Sequence, residues 1–429
     1  MTTIMRNKKS KKIDITNDIN SLFRKTVLES GLTVVTEQAV NSPYFALGFC
    51  IKSGSANDKS GYEGTAHFME HIAFRRTLHY TGKRLVTEFE SIGAYVNAYT
   101  TKEMTCFYVL ALNTKLKKCI KLLSEIVLYP NITMKDIEKE RNIILEEISS
   151  YEDDPEELIF DLSEQILFRN SAYEHPIVGY ATSVKNIGQQ HMLDFHSENY
   201  IPGNMILSYS GPENHFDLLE LSQKLNFITP TSKKSILLHI PKTNRPQKSI
   251  FVKNFQQSHL LFTTRTDGLN SKDRYIYAII NNLLGEGLSS RLNQVLREKY
   301  GYVYSVYSTL ALLRDVGTMS IYAASELKNI HKVENLIIKE LELLGKIGFT
   351  EKEIKSAKEQ IKSSTIIGLD GVSSKMQSLA RIEAVNGEYE SINDTINLID
   401  DVSNEEVFRA IKKHLAPKKW SEVILQTEQ

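Results

Sequence analysis

Residues 61–77 read GYEGTAHFMEHIAFRRT, and within them His67, Glu70 and His71 form an H-x-x-E-H run. Side chains three and four residues apart share one face of a helix, so the two imidazoles would stand one turn apart with the carboxylate beside them. Two imidazoles at this spacing can bind one zinc ion, and an adjacent carboxylate can activate a water molecule on it. The run is the inverted form of the H-E-x-x-H zinc signature. It predicts a metal-binding helix; the alternative is a core helix with two hydrogen-bonded histidines.

A second segment offers the remaining ligand that such a site needs. Zinc bound by two histidines takes a third protein ligand and keeps one position for water. Residues 135–150, KDIEKERNIILEEISS, read as a helix on which Glu140 and Glu147 lie seven residues apart on one face. A carboxylate from that face can complete the site. The alternative is that both glutamates are solvated, because this helix is rich in charge.

The two motifs together resemble the pitrilysin and mitochondrial processing peptidase family of inverzincin zinc metallopeptidases. The shared pattern is H-x-x-E-H followed downstream by E-R-x-x-x-x-x-E, and the chain is similar to a short, two-domain, bacterial-type member. The resemblance implies one Zn²⁺ per chain, with His67, His71 and Glu147 as its ligands. It further implies that Glu70 is the general base and that Glu140 supports the site from outside the ligand shell.

Glu146 and Arg76 are two positions near the motifs that bear on the assignment. Glu146 adjoins Glu147, and within the resemblance the seven-residue step from Glu140 selects Glu147. Relatives often read F-K-G-T after the first motif, whereas this chain reads Phe74-Arg75-Arg76-Thr77, so Arg76 replaces a glycine. A different local turn is expected there, with no catalytic position changed.

Length and composition restrict the class of protein. A chain of 429 residues is expected to form two domains. The net charge of zero favours neither a nucleic-acid partner nor an anionic membrane surface. No apolar run approaches the roughly 18 residues of a membrane span. The three cysteines form no C-x-x-C pair and no even framework, which indicates free thiols in a reducing compartment. We therefore expect a cytoplasmic protein, with an organellar matrix as the less favoured location.

The order of predicted elements suggests how the chain divides. Residues 1–22 form a basic stretch without an apolar core, which predicts a disordered tail and no secretory signal. Residues 23–228 are expected to form the catalytic zinc domain, and the Pro- and Lys-containing residues 229–248 the linker. Residues 249–429 repeat the strand–helix order without the histidines, and after about residue 328 they read as helical. The predicted fold is α+β, with two similar domains, each a mainly antiparallel sheet with helices on one face.

Residues 93–100, GAYVNAYT, read as a strand. The family resemblance implies that Asn97 and Ala98 belong to an edge strand on which substrate is laid. An exposed edge binds extended peptides through backbone N–H and C=O groups with little dependence on side chains. The alternative is an ordinary strand whose asparagine starts a turn.

A further constellation lies in the second half, where residues 297–304 read REKYGYVY. Taken alone, Gly301 predicts a helix C-cap, with Arg297 favourable to the helix dipole and Tyr304 in a strand. The family resemblance implies instead that the non-catalytic second half contributes Arg297 and Tyr304 to the active site. A guanidinium can hold a substrate carbonyl, and a phenol can donate to a developing oxyanion.

The expected function is that of a zinc metalloendopeptidase hydrolysing unfolded or extended peptides. Within the resemblance, double-length relatives enclose the site with four domains, so a two-domain chain is expected to form a homodimer around a chamber. One alternative is a non-catalytic, core-protein-like subunit or scaffold of the same fold. Another is a zinc hydrolase acting on a non-peptide amide, which the edge-strand interpretation disfavours.

Overall fold

A computed structural model describes residues 22–225, 227 and 245–427 of the chain. The first half contains a six-stranded sheet in the order β1-β2-β6-β3-β5-β4. Its neighbouring strands are antiparallel except for the parallel pair β2 and β6. The strands are Phe23–Val27 (β1), Thr33–Gln38 (β2), Tyr44–Ile51 (β3), Tyr95–Thr100 (β4), Thr105–Leu112 (β5) and Met205–Gly211 (β6).

The helices of the first half lie between and after these strands. They are Thr65–Ala73 (α1), Gly82–Glu90 (α2), Leu116–Leu128 (α3), Met134–Asp153 (α4), Pro155–Leu167 (α5), Ala181–Asn186 (α6), Gln189–Asn199 (α7) and His215–Gln223 (α8). Helix α4 begins at the N-cap Thr133, and α5 at the N-cap Asp154 followed by Pro155.

The second half contains a five-stranded sheet in the order β7-β11-β8-β10-β9, antiparallel except for β7 beside β11. Its strands are Lys248–Lys253 (β7), Ser258–Asp267 (β8), Ser305–Leu312 (β9), Val316–Ser325 (β10) and Ser421–Thr427 (β11). Its α-helices are Arg274–Asn281 (α9), Ile330–Ile347 (α10), Glu351–Gly368 (α11), Val372–Val385 (α12), Ile392–Asp401 (α13) and Asn404–His414 (α14). Two π-helical segments, Asn282–Glu286 and Asn293–Lys299, connect α9 to β9.

The central strand β3 shows how the first sheet is buried on both faces. Phe45, Leu47 and Phe49 belong to the core that α1, α3 and α7 build on one face. Ala46 and Cys50 point to the opposite face, where they pack in smaller apolar clusters. Successive side chains of a strand point to opposite faces, so an apolar run such as YFALGFCI is suited to a strand buried on both sides.

Each half of the chain contributes one helix to the sheet of the other half. That helix covers the sheet face opposite the main core. Helix α12 lies on the first sheet, where Met376 packs against Ala46 and its carbonyl accepts a hydrogen bond of 2.6 Å from the Ser208 hydroxyl. Helix α5 lies on the second sheet, where Ile159 packs against Leu261 and its neighbours. The predicted fold class is confirmed, and these crossed helices add contacts that hold the two halves together.

Part of the predicted organisation was wrong or falls outside the described residues. The end of the chain is not purely helical, because β11 lies inside the second sheet between β7 and β8. Most of the predicted tail (1–22) and linker (229–248) lies outside the described residues, although Lys248 already pairs with Glu422 in β11. The domain limits 23–228 and 249–429 stay a prediction.

Candidate metal centre and active site

The start of helix α1 is set by the loop before it. Gly64 is the N-cap and has a φ of 94°, where a side chain would be strained and would meet the carbonyl oxygen of Val178. The Asp58 carboxylate accepts hydrogen bonds from the backbone N–H groups of Gly64 (2.7 Å) and Ala66 (2.9 Å). Asp58 therefore caps α1 from a distance and fixes the direction in which its histidines project.

The structure brings His67, His71 and Glu147 together, although they come from two different helices. Their donor atoms all lie within 4.8 Å of one another. The Nε2 atoms of His67 and His71 lie 3.8 and 3.7 Å from the two carboxylate oxygens of Glu147. Glu146 is exposed and takes no part in this cluster, which is the one group of this kind that the described residues contain.

The donor set and its spacing fit a single zinc ion. Bonds of 2.0–2.1 Å in a tetrahedral site place neighbouring donor atoms about 3.3 Å apart. The observed separations of 3.7 and 3.8 Å between the imidazoles and Glu147 are wider than this, and small side-chain movements would bring the donors to bonding distance. Two imidazole nitrogens and one carboxylate oxygen leave one coordination position open, as in catalytic zinc sites. Burial, together with the neighbouring His71, lowers the pKa of His67 to about 3, so its imidazole is neutral and able to bind metal at neutral pH.

Glu140 contacts the imidazole of His71 at the ring nitrogen that faces away from Glu147. Its carboxylate lies 3.2 Å from Nδ1 of His71, which can donate a hydrogen bond to it. This contact leaves Nε2 of His71, the atom facing Glu147, as the free acceptor. Arg75 forms an ion pair with the same Glu140, whose side chain is almost fully buried. The buried carboxylate is thus paired with one cation, Arg75, and hydrogen-bonded to one imidazole, His71.

Arg76, where the family resemblance implied a glycine, causes no visible disturbance of the turn after α1. Among the described residues other than glycine, only Asn170 has a positive φ, so the turn at Arg76 requires no glycine. Its guanidinium pairs with Asp136 at 3.2 Å, near the start of α4. Arg76 therefore links the segment after α1 to the helix that carries Glu147.

Replacing Glu140 with alanine is expected to weaken zinc binding by roughly 10–100-fold, the usual cost of losing a group that orients a ligand. The imidazole of His71 would lose the partner that fixes its tautomer. Competition with a chelator of known affinity measures the change. Glu138→Ala is the matched control, since Glu138 lies on the same helix with an exposed side chain. Equal affinity in both variants would mean that Glu140 does not support the metal.

Glu70 stands next to the cluster and is held by a residue of the sheet. The hydroxyl of Thr100, the last residue of β4, donates a hydrogen bond to its carboxylate. Burial raises the pKa of Glu70, while Thr100 and nearby His71 oppose the shift and Glu147 adds to it. A carboxylate with a raised pKa is a stronger proton acceptor than a solvated one.

Asn97 and Ala98 lie on β4, which forms one edge of the first sheet. Asn97 is exposed and Ala98 is half-buried. The side-chain oxygen of Asn97 accepts a hydrogen bond of 2.8 Å from the backbone N–H of Ala98. One backbone group of this edge is therefore occupied by a neighbouring side chain and must be released before it can bind a peptide.

Arg297 and Tyr304 are not brought to the metal cluster within one chain. Both are exposed on the second half, and no hydrogen bond or ion pair among the described residues joins either of them to the cluster. The Tyr304 hydroxyl donates to Glu326 at 3.2 Å. Gly301 has a φ of 61° and its N–H bonds to the Arg297 carbonyl at 3.1 Å, as a helix C-cap does.

Sequence reasoning missed four residues that position the site. Asp58 caps α1, Arg75 pairs with Glu140, and Thr100 holds Glu70. The fourth residue, Tyr151, lies near Glu147, and burial together with this carboxylate raises the pKa of its hydroxyl. Tyr151 follows Glu147 by four residues on α4, so helical spacing could have identified it. The contacts of Arg75 and Thr100 span 65 and 30 residues, and no local pattern indicates them.

Comparison with protein families finds two models that match consecutive parts of the chain. Residues 33–180 match the Insulinase (Peptidase family M16) model, and residues 186–361 match the Peptidase M16 inactive domain model. All three cluster residues fall within the first match. No helix in the described part of the chain has the length and apolar character needed to cross a membrane.

Individual relatives agree with these matches. An uncharacterized zinc protease of Mycobacterium bovis is 32% identical over 410 residues, covering 94% of this chain and 92% of that protein. One from Bacillus subtilis is 26% identical over 390 residues, covering 90% and 94% of the two chains. The fold matches a protease from Helicobacter pylori with a TM-score of 0.87 at 20% identity, over 95% of this chain and 99% of that one. The chain belongs to peptidase family M16, as its resemblance to the pitrilysin family implied.

Proposed function

We propose that this protein is a zinc metalloendopeptidase that hydrolyses extended peptides. The observation that carries the proposal is the meeting of His67, His71 and Glu147 within 4.8 Å, from helices α1 and α4. Glu70 lies beside them and Glu140 contacts one imidazole, which supports metal-assisted hydrolysis at this cluster. The names of the relatives from Mycobacterium bovis and Bacillus subtilis support the same assignment.

The chain's own residues have distinct tasks in this reaction. Zinc, when bound, supplies a Lewis acid that makes water nucleophilic and stabilises negative charge on the substrate oxygen. Glu70 takes a proton from the attacking water and returns it to the leaving amine. The hydrogen bond from Thr100 holds one oxygen of Glu70 and leaves the other for this transfer. Desolvation raises the pKa of Glu70, which favours proton uptake.

The substrate is proposed to lie extended along the edge of β4. Thr100 is the residue of that strand that contacts Glu70, so a peptide paired with Asn97 and Ala98 would run toward the general base. Binding requires the Asn97 side chain to release the Ala98 amide, which then pairs with the peptide backbone. Backbone pairing favours unfolded segments over folded proteins.

Arg297 and Tyr304 are proposed to serve the active site of a second copy of the chain. Both are exposed and neither contacts the metal cluster of its own chain among the described residues, which suits a role across a homodimer. The phenol of Tyr304 would donate to the oxyanion and the guanidinium of Arg297 would hold a substrate carbonyl. The Tyr304 hydroxyl, which donates to Glu326 within its own chain, would exchange this partner for the substrate.

Tyr304→Phe is expected to lower kcat by roughly 10²-fold, the effect of losing one oxyanion donor, with zinc content unchanged. Co-expression with a Glu70→Gln chain, using two affinity tags to purify the mixed dimer, tests where Tyr304 acts. In the mixed dimer, one site receives intact Glu70 from one chain and intact Tyr304 from the other. Recovery of activity supports action across the dimer; an inactive mixed dimer, or sedimentation showing a fully active monomer, refutes it.

The most direct test of the proposed function uses an internally quenched peptide library with metal analysis of the same sample. Cleavage that stops on adding a chelator and returns with zinc supports the peptidase. Bound zinc without cleavage of any peptide would favour the non-catalytic scaffold, and hydrolysis confined to non-peptide amides would favour the other alternative. The three free cysteines agree with a reducing compartment, and we propose the cytoplasm.

A further inference from the structure

A cavity of about 1080 Å³ lies between the two halves of the chain. The first half lines it with residues that include Lys52, Tyr99 and Thr101. The second half lines it with the end of α11, the C-terminal part of α12 and the turn after β9. This volume is slightly larger than the roughly 300–1000 Å³ found for small-molecule sites. The cavity is therefore large enough for an organic ligand.

The cavity is separate from the metal cluster, because the two lie on opposite faces of strand β4. Thr100 points to the cluster and bonds to Glu70. Its neighbour Tyr99 points the other way, where it packs with Cys50 and Cys106 behind the first sheet. Adjacent residues of a strand alternate between faces, so an occupant of the cavity would contact Tyr99 without touching the metal ligands.

More basic than acidic side chains line the cavity. Four of the lining residues are basic and two are acidic: Lys25, Lys52, Arg314 and Arg381 against Glu103 and Glu383. Each acidic group is already engaged within the protein. Glu383 forms an ion pair with Lys25 at 2.7 Å, and Glu103 accepts hydrogen bonds from the Tyr173 hydroxyl and the Arg314 backbone.

Lys52 and Arg381 are the basic groups that lack a counter-ion. Among the described residues, no carboxylate oxygen lies within 4 Å of either side-chain cation. Arg381 donates one hydrogen bond, to the Leu312 carbonyl at 3.0 Å, which leaves its other N–H groups available to the cavity. Lys52 is half-buried, and the surrounding protein lowers its pKa, which Glu383 partly offsets. Arg381 is more exposed, and its pKa is also lowered by the nearby protein, with Glu103 opposing the shift. A desolvated cation is costly unless an anion compensates it.

The rest of the lining is apolar enough to hold the body of such an anion. Tyr99, Met104, Leu313 and Leu369 come from both halves and share the cavity with the two cations. Apolar walls with a few placed charges are the usual composition of a small-molecule site. We propose that this cavity binds an amphipathic organic anion, with its acidic group contacting both Lys52 and Arg381 and its apolar body between the two halves.

The probe for this test is 8-anilinonaphthalene-1-sulfonate, an organic anion whose fluorescence rises in apolar surroundings. We expect saturable binding of one molecule per chain, weakened roughly tenfold in Lys52→Gln and in Arg381→Gln, the loss of one charge-assisted contact. Lys224→Gln is the matched control, because Lys224 is exposed at the C-terminal end of α8 and does not line the cavity. The uncharged analogue N-phenyl-1-naphthylamine should bind roughly tenfold more weakly than the sulfonate.

Thermal unfolding of each variant establishes that it is folded before binding is measured. Lys52 donates no side-chain hydrogen bond among the described residues, so its replacement should leave the fold intact. If Arg381→Gln is unstable, the binding of Lys52→Gln alone is compared with wild type. Equal affinity of wild type and Lys52→Gln, or equal affinity for the charged and uncharged probes, would overturn the proposal. The measurement needs neither zinc nor peptidase activity, so its outcome is independent of the proposed function.

Discussion

Replacing Glu70 with glutamine is expected to lower peptide turnover by roughly 10²–10⁴-fold while leaving zinc content unchanged. Glutamine has nearly the same shape, and its side-chain oxygen can still accept the hydrogen bond from Thr100. It cannot take up a proton from water, so the reaction loses its base and the acid that protonates the leaving amine. The measurement is kcat on a quenched peptide together with the zinc content of the same preparation.

The control for this variant is Glu90→Gln at the exposed end of α2. It makes the same chemical change outside the cluster and should retain wild-type turnover. If the Glu70 variant keeps its zinc and cleaves peptides at the wild-type rate, Glu70 is not the general base. Loss of zinc from this variant would instead place Glu70 among the metal ligands.

Replacing Glu147 with alanine is expected to reduce zinc affinity by more than the roughly 100-fold that loss of a supporting group costs. Glu147 is the one carboxylate in the cluster, and its two oxygens lie 3.8 and 3.7 Å from the two imidazole nitrogens. Without it, two neutral imidazoles would have to hold a doubly charged ion alone. Peptidase activity should fall with zinc occupancy and recover in part at high zinc concentration.

Glu146→Ala is the control that separates this effect from a general change in charge on α4. The two glutamates are adjacent in sequence, but Glu146 is exposed and outside the cluster. Zinc affinity should therefore be unchanged in Glu146→Ala. Equal loss of zinc in both variants, or a loss only in the Glu146 variant, would show that the third ligand has been misassigned.

Much of the site could be predicted because its chemistry is concentrated in short periodic segments. The H-x-x-E-H run and the apolar stripe of residues 135–150 each lie on one helix, as helical periodicity predicts. What the sequence does not contain is the contact between these helices. The pairing of Arg75 with Glu140, and of Thr100 with Glu70, depends on the packing of segments that are far apart in the chain.

Strand β11 and the crossed helices show a second limit of sequence reasoning. Residues 421–427, SEVILQT, follow a helical region, and the short run Val423 to Leu425 fits a helix or a strand equally well. The segment forms a strand because it pairs with the neighbouring strands β7 and β8. In the same way, the apolar residues of α5 and α12 predict helices with a buried side, but they do not indicate that each helix covers the sheet of the other half.

Crystals of the zinc-loaded protein, measured on both sides of the zinc absorption edge, test the metal site most directly. We predict one anomalous peak per chain, within bonding distance of the Nε2 atoms of His67 and His71 and a carboxylate oxygen of Glu147. A peak bound elsewhere, or none at this cluster in protein supplied with zinc, would contradict the assignment of these three ligands.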